Sequence, residues 1–192
     1  MIAVEERRPR AVGRGGAVYE VSSERFEVLS ADSSLTFFAM SSVQSVYGKT
    51  AELSGFIEAA WNADGTLVLN PSPRMHVEFQ VESLRTGNEL QDRGMWNLIE
   101  SKRFPKVAAD LRDAKPGAAR GRYTASGQVT LAGLARGYEG EFALERDGNR
   151  VIVDGDINVD VRDFGLKPMN LLVLNVAPLV KVRLHLVTAQ GG

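Results

Sequence analysis

Residues 151–161 read VIVDGDINVDV. Val151, Val153, Gly155, Ile157, Val159 and Val161 share one parity, while Asp154, Asp156, Asn158 and Asp160 share the other. Successive side chains of a strand point to opposite faces, so this stretch is a strand with one apolar and one wet face. The same period continues downstream, where Val180, Val182, Leu184 and Leu186 oppose Lys181, Arg183 and His185. Upstream, Tyr123, Ala125, Gly127, Val129 and Leu131 oppose Thr124, Ser126, Gln128 and Thr130. Earlier still, Met75, Val77, Phe79 and Val81 oppose His76, Glu78 and Gln80.

Shorter strands are expected over Val18–Val21, Phe26–Leu29, Ser34–Phe38, Thr66–Leu69, Lys106–Leu111 and Gly137–Leu144, and a longer one over Glu52–Trp61. Asn62-Ala63-Asp64-Gly65, Gly133 and Asp147-Gly148 supply turns between them. Asp113–Arg120 reads as a loop, and Arg162–Pro178 as an irregular segment before a last strand, Leu179–Val187. Alternating strands joined by short turns make an antiparallel sheet. Its apolar face must be hidden, and a closed barrel of roughly eight strands suits this length. The expected class is therefore all-β, an antiparallel eight-stranded barrel.

One helix interrupts the pattern, within Leu84–Pro105, LRTGNELQDRGMWNLIESKRFP. Thr86-Gly87-Asn88 provides the turn, Asn88 the N-cap, and Gln91 a capping-box partner. Leu90, Trp96, Leu98 and Ile99 form its apolar side; Glu89, Asp92 and Arg93 are read as polar, and Phe104-Pro105 as the stop. A single helix in a β chain reads as a cap on the barrel.

The chain has 192 residues, net charge −1, 44% hydrophobic residues and no cysteine. That balance argues against nucleic acid as a partner and rules out disulfides, zinc thiolates and a cysteine nucleophile. Residues 1–16 carry Arg7, Arg8, Arg10 and Arg14 among Pro and Gly, reading as a flexible arm before a barrel domain at 17–189. The arm is either a solvated tail or a contact for anionic lipid headgroups. Its charges occupy the place of a signal peptide's apolar segment, giving a cytoplasmic expectation.

Small residues on the inward faces, among them Gly55, Ala59, Ala125, Gly127 and Gly155, have two readings. They leave a hollow for an apolar ligand, or they relieve crowding at bulges and barrel corners. His76 and His185 fall on wet faces with no third ligand in spacing, so no metal site is expected. Asp163, in Arg162-Asp163-Phe164-Gly165, either braces a turn or pairs with an arginine at the barrel mouth; Asp92 is read for the latter role too.

Three motifs in order carry a resemblance. The stretch LRTGNELQDRGMWNLIESKRFPKV, through Thr86, Gly87, Asn88, Asp92, Phe104 and Pro105, resembles the signature of YceI-like proteins. Gly127–Gly133 is similar to that family's strand and turn, and Asp163-Phe164-Gly165 to its Asp-Phe-Gly motif. The resemblance implies a lipocalin-like barrel around an apolar tunnel for polyisoprenoids or other long-chain amphiphiles, often dimeric, without established catalytic residues. Many members carry His-Ser where Ser33-Ser34 stands here, and Arg-Asp-x-His where Gln91-Asp92-Arg93-Gly94 stands; any role of those histidines is absent.

The expected function is a non-enzymatic carrier that sequesters an isoprenoid or fatty-acid-like ligand, needing no cofactor, forming a homodimer and touching membranes transiently. Phe37, Trp61, Phe79, Val129, Phe142, Ile157 and Leu184 are the candidate wall. Trp96, Phe164 and Leu172 are candidates for the mouth; Asn88, Asp92 and Asp163 either hydrogen-bond a polar head or brace the loops. The alternative is an isomerase or cyclase acting on an apolar substrate in the same cavity, with Asp92, Asp163 or Tyr123 as its ionisable group.

Overall fold

The computed structural model describes residues 22–167, 170–171 and 174–191. The expected arm at 1–16, the strand Val18–Val21 and Leu172 lie outside them. The elements are β1 (Glu24–Val28), β2 (Ser34–Ser41), β3 (Val46–Thr50), β4 (Ser54–Ala59) and β5 (Arg74–Gln80). There follow α1 (Glu89–Ile99), β6 (Lys106–Pro116), β7 (Arg122–Leu131), β8 (Leu134–Asp147) and β9 (Arg150–Asp160). A two-residue β10 (Asn170–Leu171) and the long β11 (Leu174–Gln190) complete the order.

Eight antiparallel strands close in the order β1-β4-β5-β6-β7-β8-β9-β11, and β11 returns to β1. β2 and β3 extend the sheet from the far half of β11, and β10 pairs with its start. The alternation sets the register. Ile157 lies opposite Val182 and Gly155 opposite Leu184, so the apolar parity of β9 and β11 shares the barrel interior.

Closure depends on a corner between β1 and β2. β11 pairs with β1 through Thr188–Gln190 and with β2 through Val176–His185, so its partner must step inward between them. A single turn of 3₁₀-helix, Ser30–Asp32, makes that step. Val187 is served there by Leu29, whose N–H donates to its carbonyl at 2.8 Å. The buried Ser33 hydroxyl donates to the same carbonyl at 3.2 Å and accepts from the Val187 N–H at 3.0 Å. A side chain thus completes the ladder where the backbone leaves it.

Several boundaries differ from the sequence expectation. The strand expected over Glu52–Trp61 is confined to Ser54–Ala59. Thr66–Leu69 forms no strand; Leu67 makes only an isolated bridge to Trp61, and Pro71 and Pro73 follow before the pairing can extend. β6 runs through the expected loop to Pro116, with a bulge between Leu111 and Asp113 absorbing the extra residue. β11 likewise starts before Pro178, its register shifting between Val176 and Val180. β8 begins straight after the Ala132-Gly133 turn, whose two residues have φ of 50° and 74°.

The barrel end away from α1 is filled. Phe26, Val151, Leu186 and Thr188 are fully buried there. The Arg146 guanidinium lies 5.7 Å from the Phe26 ring centre and forms a two-pronged pair with Glu24 at 2.8 Å. Removing the Ser33 hydroxyl leaves the Val187 N–H unsatisfied in the interior. Ser33→Ala is expected to cost about 1–3 kcal/mol, read as a lowered urea midpoint at unchanged m-value, whereas Ser22→Ala outside the sheet leaves it unmoved.

Candidate functional site

Between this filled end and α1 the barrel holds a cavity of about 320 Å³ with an almost wholly apolar lining. That lies at the small end of the range for ligand sites. Phe37, Phe79, Val129, Phe142, Ile157 and Leu184, six of the expected wall residues, all line it. They come from β2, β5, β7, β8, β9 and β11, so closure of the sheet is what brings them together.

The interior glycines divide by cause. A Cβ on Gly127 would lie 2.2 Å from the Asp110 carbonyl oxygen, beside the β6 bulge; glycine here lets two backbones approach. Gly55, at φ +144°, is crowded in the same way by the His76 carbonyl. Gly155 differs: a Cβ there makes ordinary contact with Phe142 at 3.4 Å, and the position lines the cavity. Gly155, with Ala109 and Ala125, leaves space that larger side chains would take.

Helix α1 closes the other end, and its fastening starts from Asn88. The Asn88 side chain caps the helix by accepting from the N–H groups of Leu90 and Gln91 at 3.0 and 3.2 Å. Thr86 Oγ1, not Gln91, accepts from the Asn88 N–H; Gln91 lines the cavity. Asp92, expected on the polar side, is buried, and its Oδ1 accepts from both the N–H and hydroxyl of Thr86 at 2.7 Å. Arg93 pairs instead with Glu89.

The apolar side is Met95, Leu98 and Ile99, which line the cavity, while Leu90 is exposed. The helix ends before the expected Phe104-Pro105 stop, at Glu100 with φ 57°, where the Ser101 N–H closes onto Trp96. Phe104 packs over the β7–β8 turn, and any Cβ on Gly133 would meet its ring at 2.4 Å.

Four expected ligand residues have other neighbours. Trp61 sits outside the cavity, with the Arg146 guanidinium 5.3 Å from its ring and its Nε1 buried without a partner among the described residues. Trp96 fastens the helix: its Nε1 donates to the Leu84 carbonyl at 3.3 Å and Arg85 covers its ring. Phe164 is buried in a 3₁₀ turn, Val161–Phe164, stacked 5.9 Å from Tyr138. Asp163 accepts from the Tyr138 hydroxyl at 2.7 Å, while Arg162 pairs with Asp160. Asn88, Asp92 and Asp163 are thus braces, and Tyr138, which sequence reasoning passed over, is the aromatic residue that joins this brace to the cavity lining. Its parity with Gly140 and Phe142 was the available signal.

Neither histidine lines the cavity; His76 pairs with Asp110 and His185 with Asp154, each at 2.8 Å. No group of three side chains suited to a metal ion occurs among the described residues.

The sequence matches the YceI-like domain over residues 26–188. The chain belongs to the YceI-like family. No match emerges among the curated proteins. The fold is similar to BcnA of Burkholderia cenocepacia, with a TM-score of 0.70 and 16% identity over 83% of this chain and 98% of that one. It is also similar to a polyisoprenoid-binding domain from Saccharophagus degradans, at 0.65 and 14% over 88% and 99%. The YceI protein of Campylobacter jejuni aligns at 0.55 and 13% over 78% and 87%. Within this YceI-like barrel, the first serine of Ser33-Ser34 is the corner residue that completes the β11 ladder.

Two outcomes follow. Burial, then the hydrogen bond to Asp163, pushes Tyr138 up from 10.0 to about 12. The neutral phenol is therefore favoured in the folded state. Its stabilisation is present in full below pH 10 and disappears as the pH rises toward about 12. Tyr138→Phe is expected to flatten that part of the alkaline unfolding profile. Separately, Asp92→Ala leaves the Thr86 donors unpaired and is expected to lose about 1–3 kcal/mol by thermal unfolding, with Asp92→Asn, which keeps an acceptor, losing less.

Proposed function

We propose that the protein binds, shields and carries a polyisoprenoid or another long-chain amphiphile in the barrel cavity, without acting on it chemically. The observation that carries this reading is the cavity itself, an apolar space walled by strands and capped by a helix whose buried carboxylate, Asp92, is held by Thr86. Burying an apolar chain gives roughly 25 cal/mol per Å² before ordering costs, so such a ligand is held with few polar contacts. The polyisoprenoid-binding domain of Saccharophagus degradans, which shares the fold, supports the choice of an isoprenoid.

The surroundings of the three candidate catalytic groups support a non-enzymatic role. The Asp92 carboxylate holds Thr86, Asp163 holds Tyr138, and Tyr123 is buried in a stack with Phe142 at 5.4 Å. None of the three lines the cavity.

Gly155→Leu tests the reading by filling the cavity without crowding the backbone. A dansylated farnesyl chain titrated into the parent is expected to gain fluorescence saturably. The variant, folded to the same extent by circular dichroism, is expected to bind it at least about tenfold more weakly. Equal uptake by both proteins contradicts the proposal.

A further inference from the structure

The outer surface of the barrel is asymmetric. Six large apolar side chains are well exposed among the described residues: Met40, Val43, Tyr47, Leu90, Leu134 and Leu179. The strand register puts all of them at the end that carries α1. The opposite end has none among the described residues. Scattered exposed apolar residues need no explanation, but their segregation to one end does.

The densest part is the extension made by β2, β3 and the start of β11. Its inner face, with Ala39, Val46 and Val180, lines the cavity. Its outer face is apolar as well. Met40 is 62% exposed, Tyr47 65% and Val43, at the tip of the β2–β3 hairpin, 69%. The Phe38 and Tyr47 rings pack at 4.9 Å, and Leu179 lies opposite Asp160 of β9, within the register shift that precedes Val180. Elsewhere the outward parity is charged, as in β9. The wall here is a thin two-sided apolar leaf.

Charge begins in the Phe38–Tyr47 row and continues in the next outward row of the same ladder. Lys181 faces outward in the Phe38–Tyr47 row itself, Lys49 and Arg183 share the next outward row, and Asp156 is shared by Lys181 and Arg183. Lys49 forms no ion pair among the described residues. An apolar tip, a tyrosine with a polar end and cations beside it and one row further back match the layers of a bilayer interface with anionic headgroups.

We propose that this end docks on an anionic lipid surface, the β2–β3 hairpin dipping into the headgroup region so that an amphiphile passes between bilayer and cavity. The passage rests on the carrier reading; the docking is measurable without it. The full chain is mixed with vesicles of phosphatidylcholine alone or with phosphatidylglycerol and sedimented. It is expected to partition onto the anionic vesicles more strongly, and less so as salt rises.

The combined variant Met40→Ser, Val43→Ser and Leu179→Ser is expected to partition at least about tenfold more weakly, with farnesyl-probe uptake in solution unchanged. Val43→Ser alone gives a smaller drop in the same direction. Lys49→Glu with Lys181→Glu removes the preference for anionic vesicles. Three results overturn the proposal: a parent chain that takes up the probe yet stays off both vesicles, a triple variant that partitions like the parent, or a dimer in sedimentation velocity that the triple variant converts to monomer without any vesicle binding. The last makes the patch a contact between copies of the chain. Vesicle binding without probe uptake upholds docking and overturns the cavity reading instead.

Discussion

Everything in this barrel depends on β11 satisfying three partners at once. It hydrogen-bonds β9 along one edge, and along the other it pairs first with β2 and then with β1. A sheet closed by so short a β1 seam needs the step between β1 and β2 to be made without orphaned backbone groups. The Ser33 hydroxyl and the Leu29 N–H meet that requirement at Val187. With the ring closed, no edge of its eight strands is left open, and the alternating apolar faces share one interior.

What fills that interior changes along the axis. Large side chains plug one end, whereas small residues leave the middle open. The helix then covers the other end, held by contacts that are mostly its own: the Asn88 cap, the Asp92–Thr86 hydrogen bonds and the Trp96–Leu84 link. With the Asp92 carboxylate held by Thr86, the helix turns the apolar Met95, Leu98 and Ile99 toward the cavity at little desolvation cost. The same end carries the exposed apolar side chains, so the cap and the apolar rim share one pole of the molecule.

The period-two pattern places the long strands, and six of the seven residues it puts on the wall line the cavity, because parity alone decides which side of a closed sheet a residue faces. Parity says nothing about height along the axis, and for that reason Trp61 has the parity of the wall yet packs beside Arg146. The helix was read at the right place but on the wrong face at Asp92, since a carboxylate reads as polar surface until its partner, a turn six residues upstream, is seen folded against it. Gly127 and Gly155 look alike in sequence. Only the bulge in β6 shows that one is needed for backbone contact and the other leaves room. Tyr138 escaped notice because its partner Asp163 lies in another element, 25 residues on.

The central claim is that the open middle of the barrel holds an apolar chain, and the protein as purified tests it most directly. Native mass spectrometry of the intact chain is expected to show a bound species the mass of a single long-chain amphiphile, lost on organic extraction and restored by adding the extract back. A protein that carries no such mass as purified, and takes up neither the extract nor a farnesyl probe on titration, would contradict the account.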